Sequence, residues 1–298
     1  MSASPDWIAV DWGTSHLRAW AMTADDAVLS RKESDDGMGR LAPAEFEPAL
    51  LRLIETWLPD AGKIPVLACG MVGARQGWAE AAYRKVPCAA VEAGRFTSAP
   101  GTDRRIAVSI IPGLCQSDPP DVIRGEETQL AGFLSQTEFD GTICLPGTHT
   151  KWVTVRGNTV ERFQTVMTGE LFALLSEQSV LRHSIGDGWD QPAFLEAVHR
   201  ANAKPAEAIA SLFGVRARSL LQDADPAESR ATLSGLLIGV ELAAVDLNAG
   251  QLALIGSDGI LEPYRTALGA LGYGVVSVDS EAATLSGLIR AKAALEGN

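Results

Sequence analysis

Cysteine, histidine and positive charge are scarce in this sequence, and each shortage excludes a class of protein. The four cysteines contain no CxxC pair, so a disulfide framework is not expected and buried free thiols in a reducing cytosol are favoured. The four histidines are scattered, with no HExxH and no other metal-ligand spacing. Lys and Arg number 25 against 37 Asp and Glu, and the net charge of −12 argues against nucleic acid or acidic lipid as a partner.

Long hydrophobic runs are absent as well. The run Leu236–Val240 is far shorter than the ~20 apolar residues that a membrane-spanning helix needs. Residues Met1–Trp7 lack the basic start and the apolar core of a signal peptide. The sequence therefore predicts a cytoplasmic protein without a membrane partner, and its 298 residues allow one large domain or two smaller ones.

Several nucleotide-binding signatures are also missing. The sequence contains no GxxxxGKS/T, which disfavours a P-loop enzyme. It has no GxGxxG after the first predicted strand and no HRD or DFG triplet, which disfavours a Rossmann dehydrogenase and a protein kinase. The GAGD stretch of ribokinase-type enzymes is missing too.

What is present is an alternation of strands and helices, which is typical of an α/β protein with a mostly parallel sheet. Apolar runs predict strands, and apolar residues at helical spacing predict helices. Predicted strands cover 8–11, 17–22, 27–29, 64–69, 106–111, 142–145, 152–155, 160–166, 252–255 and 275–278, and predicted helices cover 43–57, 126–134, 169–182, 192–201, 206–213, 226–248, 260–271 and 281–295.

The two halves of the chain begin alike. Ile8 to Arg18 is an apolar strand, a Gly-Thr turn, small polar residues, a cation and a second strand, and Thr142 to Lys151 repeats this order 134 residues later. This repetition predicts two similar α/β lobes, 1–139 and 140–298, that face one another across a cleft.

A Gly-Thr turn between two strands presents backbone N–H groups and a hydroxyl to an anion. Two such turns, at Gly13-Thr14-Ser15 and at Gly147-Thr148, are suited to a polyphosphate. Asp11 ends the first predicted strand, where a carboxylate can hold Mg²⁺, usually through water. The alternative is that both pairs are only tight turns.

These residues resemble a known superfamily, that of sugar kinases, heat-shock chaperone ATPases and actin. Asp11-Trp-Gly-Thr-Ser15 is similar to its first phosphate motif, Leu145-Pro-Gly-Thr-His149 to its second, and Leu254-Ile-Gly256-Ser-Asp-Gly259 to its adenosine motif. Within it, four stretches resemble the 2-dehydro-3-deoxygalactonokinase family, namely Val10–Trp20, Cys69–Trp78, Val122–Leu130 and Pro146–Trp152.

The resemblance implies two ribonuclease H-like lobes of the actin-like ATPase fold around a central cleft. It also implies that ATP and Mg²⁺ are used to phosphorylate the 6-hydroxyl of 2-dehydro-3-deoxy-D-galactonate. Gly256 and Gly259 would contact adenosine, and His149 and Lys151 would lie with the second phosphate turn. Leu145 departs from the superfamily pattern, in which many members carry an aspartate, so the metal would depend more on Asp11.

The catalytic base is expected in Arg124-Gly-Glu126-Glu127, at the junction of a predicted strand and helix. This segment resembles the Gly…Glu-Glu segment of the related exopolyphosphatases, in which a glutamate is the base. The match assigns the role to Glu127, with Glu126 as the second choice. Without the resemblance, two acidic residues in a first helical turn are ordinarily a favourable helix start.

An anionic substrate calls for a cation. Between Gly70 and Arg105 there are six Lys and Arg against three Asp and Glu, a local excess of +3 in an acidic chain. Arg75 lies there in a glycine-flanked loop and is our first candidate for the substrate carboxylate, followed by Arg18 and Arg124.

Three other functions stay open at this point. A polyphosphate or nucleotide phosphohydrolase of the same superfamily would share the Glu-Glu segment and use water as acceptor. An actin-like nucleotide switch would use ATP to change conformation, and a regulatory protein would bind the sugar acid without phosphate transfer. The epimer preference and the oligomeric state are not determined by the sequence, and a homodimer is one option.

Overall fold

The computed structural model describes residues 4–247 and 250–297, which form two units. The first unit extends to Phe139 and also includes Arg156–Arg162 and the segment from Ser280, and the second contains Asp140–Val155 and Phe163–Asp279. The predicted lobes, 1–139 and 140–298, therefore differ from these units in two segments, 156–162 and the C-terminal helix.

Strands and helices alternate in both units. The strands are β1 (Trp7–Trp12), β2 (Leu17–Met22), β3 (Val28–Ser34), β4 (Ile64–Gly70), β5 (Arg84–Lys85), β6 (Cys88–Ala89), β7 (Thr97–Ser98), β8 (Ile106–Ile110), β9 (Leu114–Ser117), β10 (Pro120–Ile123), β11 (Gly141–Leu145), β12 (Thr150–Arg156), β13 (Thr159–Val166), β14 (Gln251–Gly256) and β15 (Val276–Asp279). The helices are α1 (Phe46–Ile54), α2 (Glu126–Gln136), α3 (Thr168–Ala173), α4 (Gln191–Ala203), α5 (Pro205–Ala210), α6 (Phe213–Leu221), α7 (Pro226–Ala244), α8 (Asp258–Ala270) and α9 (Ser280–Glu296).

The main sheet of the first unit has the strand order β3-β2-β1-β4-β8-β7. β1 runs antiparallel to β2 and parallel to β4, and β4 runs parallel to β8. Alternate residues of a strand point to opposite faces. Ile8 and Val10 accordingly pack in one core with Phe46 of α1, while Ala9 packs in another with Leu288 of α9. Because both faces are covered, the strand reads as a continuous apolar run.

The C-terminal helix α9 belongs to the first unit because it packs closely on α2. A Cβ on Gly132 would clash with the Ala283 carbonyl oxygen, and a Cβ on Gly287 would clash with the Thr128 carbonyl oxygen. Glycine at both positions lets the two backbones approach. The segment contributes to the first unit although residues 163–279 of the second unit precede it in the chain.

The second unit repeats the strand arrangement of the first. Its strands follow the order β15-β14-β11-β12-β13, with β11 antiparallel to β12 and parallel to β14, and β14 parallel to β15. In each unit the first strand is central, the second and third lie on one side, and the two later parallel strands lie on the other. The predicted α/β class and ribonuclease H-like topology are confirmed, and so is the internal duplication.

The structure corrects several helix predictions in the second unit. Residues 169–182, predicted as one tract, are broken into α3, a π-helical turn at Leu174–Gln178 and a 3₁₀ turn at Val180–His183, because Ser179 is extended and caps the last turn. The helix predicted over 226–248 ends at Ala244, where Val245 is extended, and Asn248 lies outside the described residues. α6 was not expected, because only Val215 of its residues is buried.

Membrane-spanning segments were searched for among the described helices. In residues 4–247 and 250–297, none has the length and hydrophobicity that crossing a membrane requires.

Candidate active site

The ends of β1 and β4 and the start of α2 meet in the first unit. Asp11 and Cys69 are register partners in the parallel β1–β4 ladder. A Cβ on Gly70, which has a φ of 87°, would lie 2.6 Å from the Trp12 carbonyl oxygen, so glycine is required where the chain leaves β4. Gly125, just before α2, approaches Gly70 closely, since its Cβ would lie 3.4 Å from the Gly70 Cα.

Asp11 is held at this meeting point by two neighbours. Its Oδ2 lies 3.1 Å from Arg18 Nη1, and its Oδ1 accepts a hydrogen bond from Cys69 Sγ at 3.8 Å. Burial raises the pKa of Asp11, and the Arg18 charge opposes that shift. The described residues contain no group of three or more metal-ligating side chains. A lone carboxylate fits Mg²⁺, which proteins often bind through one or two carboxylates together with substrate phosphates.

Glu127 is fully buried in the first turn of α2. The Gly125 N–H donates to its Oε2 at 2.6 Å, and the Thr128 hydroxyl donates to its Oε1 at 3.0 Å. Burial, reinforced by the charge of Glu126, raises the pKa of Glu127 to about 7. A carboxyl group that titrates near neutral pH is suited to general base catalysis. Glu126 instead accepts a hydrogen bond from the Arg124 N–H at 2.9 Å.

The three candidate arginines have very different surroundings. The side chain of Arg75 is 81% exposed and lies 3.5 Å from Glu80, whereas Arg18 is paired with Asp11. Arg124 is only 9% exposed, and its guanidinium lies 4.2 Å from the ring centroid of Tyr83.

The Arg124 guanidinium is incompletely satisfied. Its Nη2 donates to the Ala81 carbonyl at 2.8 Å, but its Nε and Nη1 are buried and have no hydrogen-bond partner among the described residues. Buried cations are normally paired, because an unpaired charge away from water is costly. Arg124 is therefore the candidate whose guanidinium has unused donors among the described residues.

The backbone carbonyls of the first Gly-Thr turn accept hydrogen bonds from a later segment, while Thr14 and Ser15 are exposed to solvent. The Met38 N–H donates to the Gly13 carbonyl at 3.0 Å, and the Gly39 N–H donates to the Thr14 carbonyl at 2.9 Å. Thr14 and Ser15 are exposed, and within residues 4–247 and 250–297 their amides and hydroxyls donate no hydrogen bond. These donors are available to a phosphate group.

The second Gly-Thr turn is supported by the start of α3. The Glu170 N–H donates to the Thr148 carbonyl at 2.9 Å, and Gly169 lies so close to Gly147 that a Cβ would clash with the Gly147 carbonyl oxygen. His149 Nε2 lies 2.5 Å from Glu170 Oε2, and Lys151 Nζ donates to the His149 carbonyl at 2.9 Å.

A cavity of about 640 Å³ opens beside this second turn. This volume lies in the range of about 300–1,000 Å³ that is usual for small-molecule sites. Of the predicted cofactor residues, Gly147, Thr148 and Gly259 line it, whereas Gly256 is not part of its wall and faces Leu261 instead.

Sequence reasoning missed most of the cavity wall. The aromatic and polar members that it did not single out include Phe172, Trp189, Gln191, Arg230, Glu262 and Tyr264. Trp189 is 41% exposed, which is unusual for a residue of its size. Its position in a glycine-containing loop, outside any apolar periodicity, was the available signal.

Comparison with known proteins identifies one family of relatives. The family model described as 2-keto-3-deoxy-galactonokinase matches residues 11–291. The chain is 42% identical to the probable 2-dehydro-3-deoxygalactonokinase DgoK1 of Rhizobium meliloti strain 1021, over 99% of both chains. It is 35% identical to the 2-dehydro-3-deoxygalactonokinase of Escherichia coli strain K12, over 95% of this chain and 96% of that one.

A solved structure is similar over nearly the whole fold. The crystal structure of a putative 2-dehydro-3-deoxygalactonokinase from Sinorhizobium meliloti has a TM-score of 0.88 at 40% identity, covering 97% of this chain and 98% of that one. The chain therefore belongs to the 2-keto-3-deoxy-galactonokinase family.

Proposed function

We propose that the protein is an ATP-dependent kinase that phosphorylates the 6-hydroxyl of 2-dehydro-3-deoxy-D-galactonate. The observation that carries this proposal is that the start of α2 brings together a buried carboxyl, whose pKa is raised to about 7, and a buried guanidinium with two unsatisfied nitrogens. Glu127 supplies the first and Arg124 the second. A base and an anion site are what the phosphorylation of a sugar acid requires, and the curated relatives bear this activity in their names.

Each side chain of the first unit has a proposed role. Glu127 accepts the proton of the sugar hydroxyl, and Glu126 is the second candidate for this role. Arg124 binds the substrate carboxylate, since two of its guanidinium nitrogens are unsatisfied. Arg75 and Arg18 stay proposed as further substrate contacts, although the exposure of Arg75 favours a weaker one.

The nucleotide is proposed to occupy the cavity of the second unit. Gly147 and Thr148 receive its phosphates, and Gly259 contacts its adenosine, with Gly256, His149 and Lys151 as further candidates. Gly13, Thr14 and Ser15 offer a second set of phosphate donors. Mg²⁺ is proposed at Asp11, where a bound ion would neutralise charge on the transferring phosphate.

The remaining proposals concern the setting of the enzyme. We propose a cytoplasmic location, which suits the four free cysteines among the described residues, and a small-molecule sugar acid as the partner. A homodimer stays one option for its assembly.

A coupled assay of ADP release with a panel of 2-keto-3-deoxy sugar acids tests the function. We expect ADP release to depend on both ATP and the galactonate derivative, with the product phosphorylated at the 6-hydroxyl by NMR. ATP turnover that does not rise on adding any sugar acid would contradict the kinase and favour the phosphohydrolase alternative. Comparing the gluconate epimer in the same panel defines the epimer preference.

A further inference from the structure

A buried carboxylate lies behind the second Gly-Thr turn and takes no part in the mechanism described so far. Glu241, on α7, is 1% exposed. Its Oε1 accepts a hydrogen bond from Trp152 Nε1 at 2.6 Å, and its Oε2 accepts one from Tyr264 Oη at 2.9 Å. The Thr168 side chain is a third hydrogen-bond partner.

The partners of Glu241 come from two elements that line the cavity of the second unit and from the strand that follows the turn. Trp152 lies on β12, just after the turn, and Thr168 begins α3, which supports the turn. Tyr264 lies on α8 and, like Thr168, lines the cavity. The network reaches the end of the turn directly, because Tyr264 Oη is also 2.9 Å from Thr150 Oγ1.

Burying a carboxylate in a protein core costs desolvation free energy, so stabilising the core does not by itself explain Glu241. Burial raises the pKa of Glu241, and its hydrogen bonds to Thr168, Trp152 and Tyr264 oppose that shift. Replacing buried charges with well-packed apolar groups is often neutral or stabilising. What an apolar residue could not provide is hydrogen-bonded alignment of β12, α3 and α8 at one point.

We infer that Glu241 is a positioning residue that aligns the second Gly-Thr turn with the cavity wall, so that the turn meets the nucleotide phosphates. It contacts neither substrate and acts through Tyr264, Thr168 and Trp152. This inference rests on the proposed function, in which the cavity holds ATP.

Three variants distinguish a positioning role of Glu241 from a contribution to stability alone. Glu241→Leu removes all three hydrogen bonds. Glu241→Gln can restore the network, because its amide oxygen accepts from the indole N–H and its amide nitrogen donates to Tyr264 Oη, which then donates to Thr150. Leu242→Ala is the control: its side chain is buried in the same core on the same helix, but it is not among the partners of Glu241.

The readouts are the Kd of ATP by calorimetry, KM for each substrate, and the melting temperature. We expect Glu241→Leu to raise the Kd and KM of ATP about tenfold, with KM for the sugar acid unchanged, and Glu241→Gln to recover most of the affinity. Leu242→Ala should lower the melting temperature while leaving the Kd of ATP as in the wild type.

Equal ATP affinity in Glu241→Leu and the wild type would overturn the inference and leave the proposed function standing. If the wild type itself does not bind ATP, the proposed function fails and the inference fails with it. Should Glu241→Leu not fold, Tyr264→Phe removes the links to Glu241 and Thr150 while keeping the ring. Unchanged ATP affinity in Tyr264→Phe would then count against the inference.

Discussion

The two units share one topology but differ in the chemistry at the end of their first strand. In the first unit the next-to-last residue of β1 is Asp11, which faces Arg18 across the β1–β2 ladder and forms an ion pair with it. In the second unit β11 ends in Leu145, which faces Lys151 in the same relation. The cation is retained in both units, whereas the carboxylate is present only in the first.

The backbone hydrogen bonds that support the two Gly-Thr turns are more alike than the side chains around the turns. In each unit the segment after the third strand donates a backbone N–H to the turn threonine, from Gly39 to Thr14 and from Glu170 to Thr148. A glycine permits the close approach in both cases, Gly37 in the first unit and Gly169 in the second. The duplicated feature is therefore the backbone support of the Gly-Thr turn, and the side chains around it have diverged.

We propose that this divergence reflects different tasks of the two units. The first contains the buried carboxyl and the unsatisfied guanidinium, which suit proton transfer and recognition of an acid. The second contains a cavity with apolar and aromatic residues in its wall, which suits a nucleotide. Substitutions at matched positions can test this division.

The largest effect is expected for Glu127→Gln. If Glu127 supplies the base, kcat should fall about 10²–10⁴-fold, while ATP affinity, to which Glu127 is not proposed to contribute, stays nearly unchanged. In the wild type, kcat/KM should rise with pH up to about 7 and level off above it, because the base must be ionised. An equal loss of kcat and of ATP affinity in this variant would contradict the proposed separation of proton transfer from ATP binding.

The stability of this variant provides its control. Burial raises the pKa of Glu127 in the folded state from 4.5 to about 7, so the fold favours the protonated carboxyl. Ionisation therefore lowers wild-type stability progressively as pH rises from about 4.5 through about 7. Glutamine stays neutral, so Glu127→Gln should melt no lower than the wild type at alkaline pH, and lost activity cannot then be ascribed to unfolding.

A smaller effect is expected for the arginines, and it should fall on the sugar acid alone. Arg124→Met keeps an apolar stem against Tyr83 but removes the buried charge, so KM for the sugar acid should rise about 10–100-fold with the Kd of ATP unchanged. Arg75→Ala is the matched surface variant and should raise that KM only about two- to threefold. Steady-state kinetics with each substrate varied in turn would show this, and the reverse ranking would place the carboxylate at Arg75.

The smallest effects are expected for Gly37→Ala and Gly169→Ala, which test the shared backbone support directly. Each added Cβ pushes on the turn it covers, so both should destabilise the protein by about 1–3 kcal/mol in urea unfolding. Both should also raise KM for ATP several-fold. Gly269→Ala is the control, since its Cβ would meet nothing within 4 Å. A change in KM for only one of the two variants would show that the turns are not functional equivalents.

The sequence predicted the elements around the turns well, because their signals are local. Buried strands such as β1 and β11 read as apolar runs, and the Gly-Thr pairs mark where these strands end. The packing of α9 on α2 could not be predicted, since it depends on glycines at 132 and 287, far apart in the chain.

The burial and the hydrogen-bond partners of individual side chains could not be predicted from the sequence either. Arg75 lies two residues from a glycine on each side and Arg124 directly precedes Gly125, yet Arg75 is exposed and Arg124 is buried. The hydrogen bond from Trp152 to Glu241 joins residues 89 positions apart, and no local pattern marks it. The roles of Glu127, Asp11 and the arginines stay predictions until variants are measured.

The place of α9 has a consequence for the order in which the protein assembles during synthesis. The ribosome completes all of residues 163–279 before the helix that covers one face of the first sheet has been made. Until then Ala9, Leu67 and their neighbours lack their apolar cover, while the second unit already has all of its chain. The unit whose translation begins first is therefore the one whose chain is completed last, and until then its uncovered apolar face is open to aggregation.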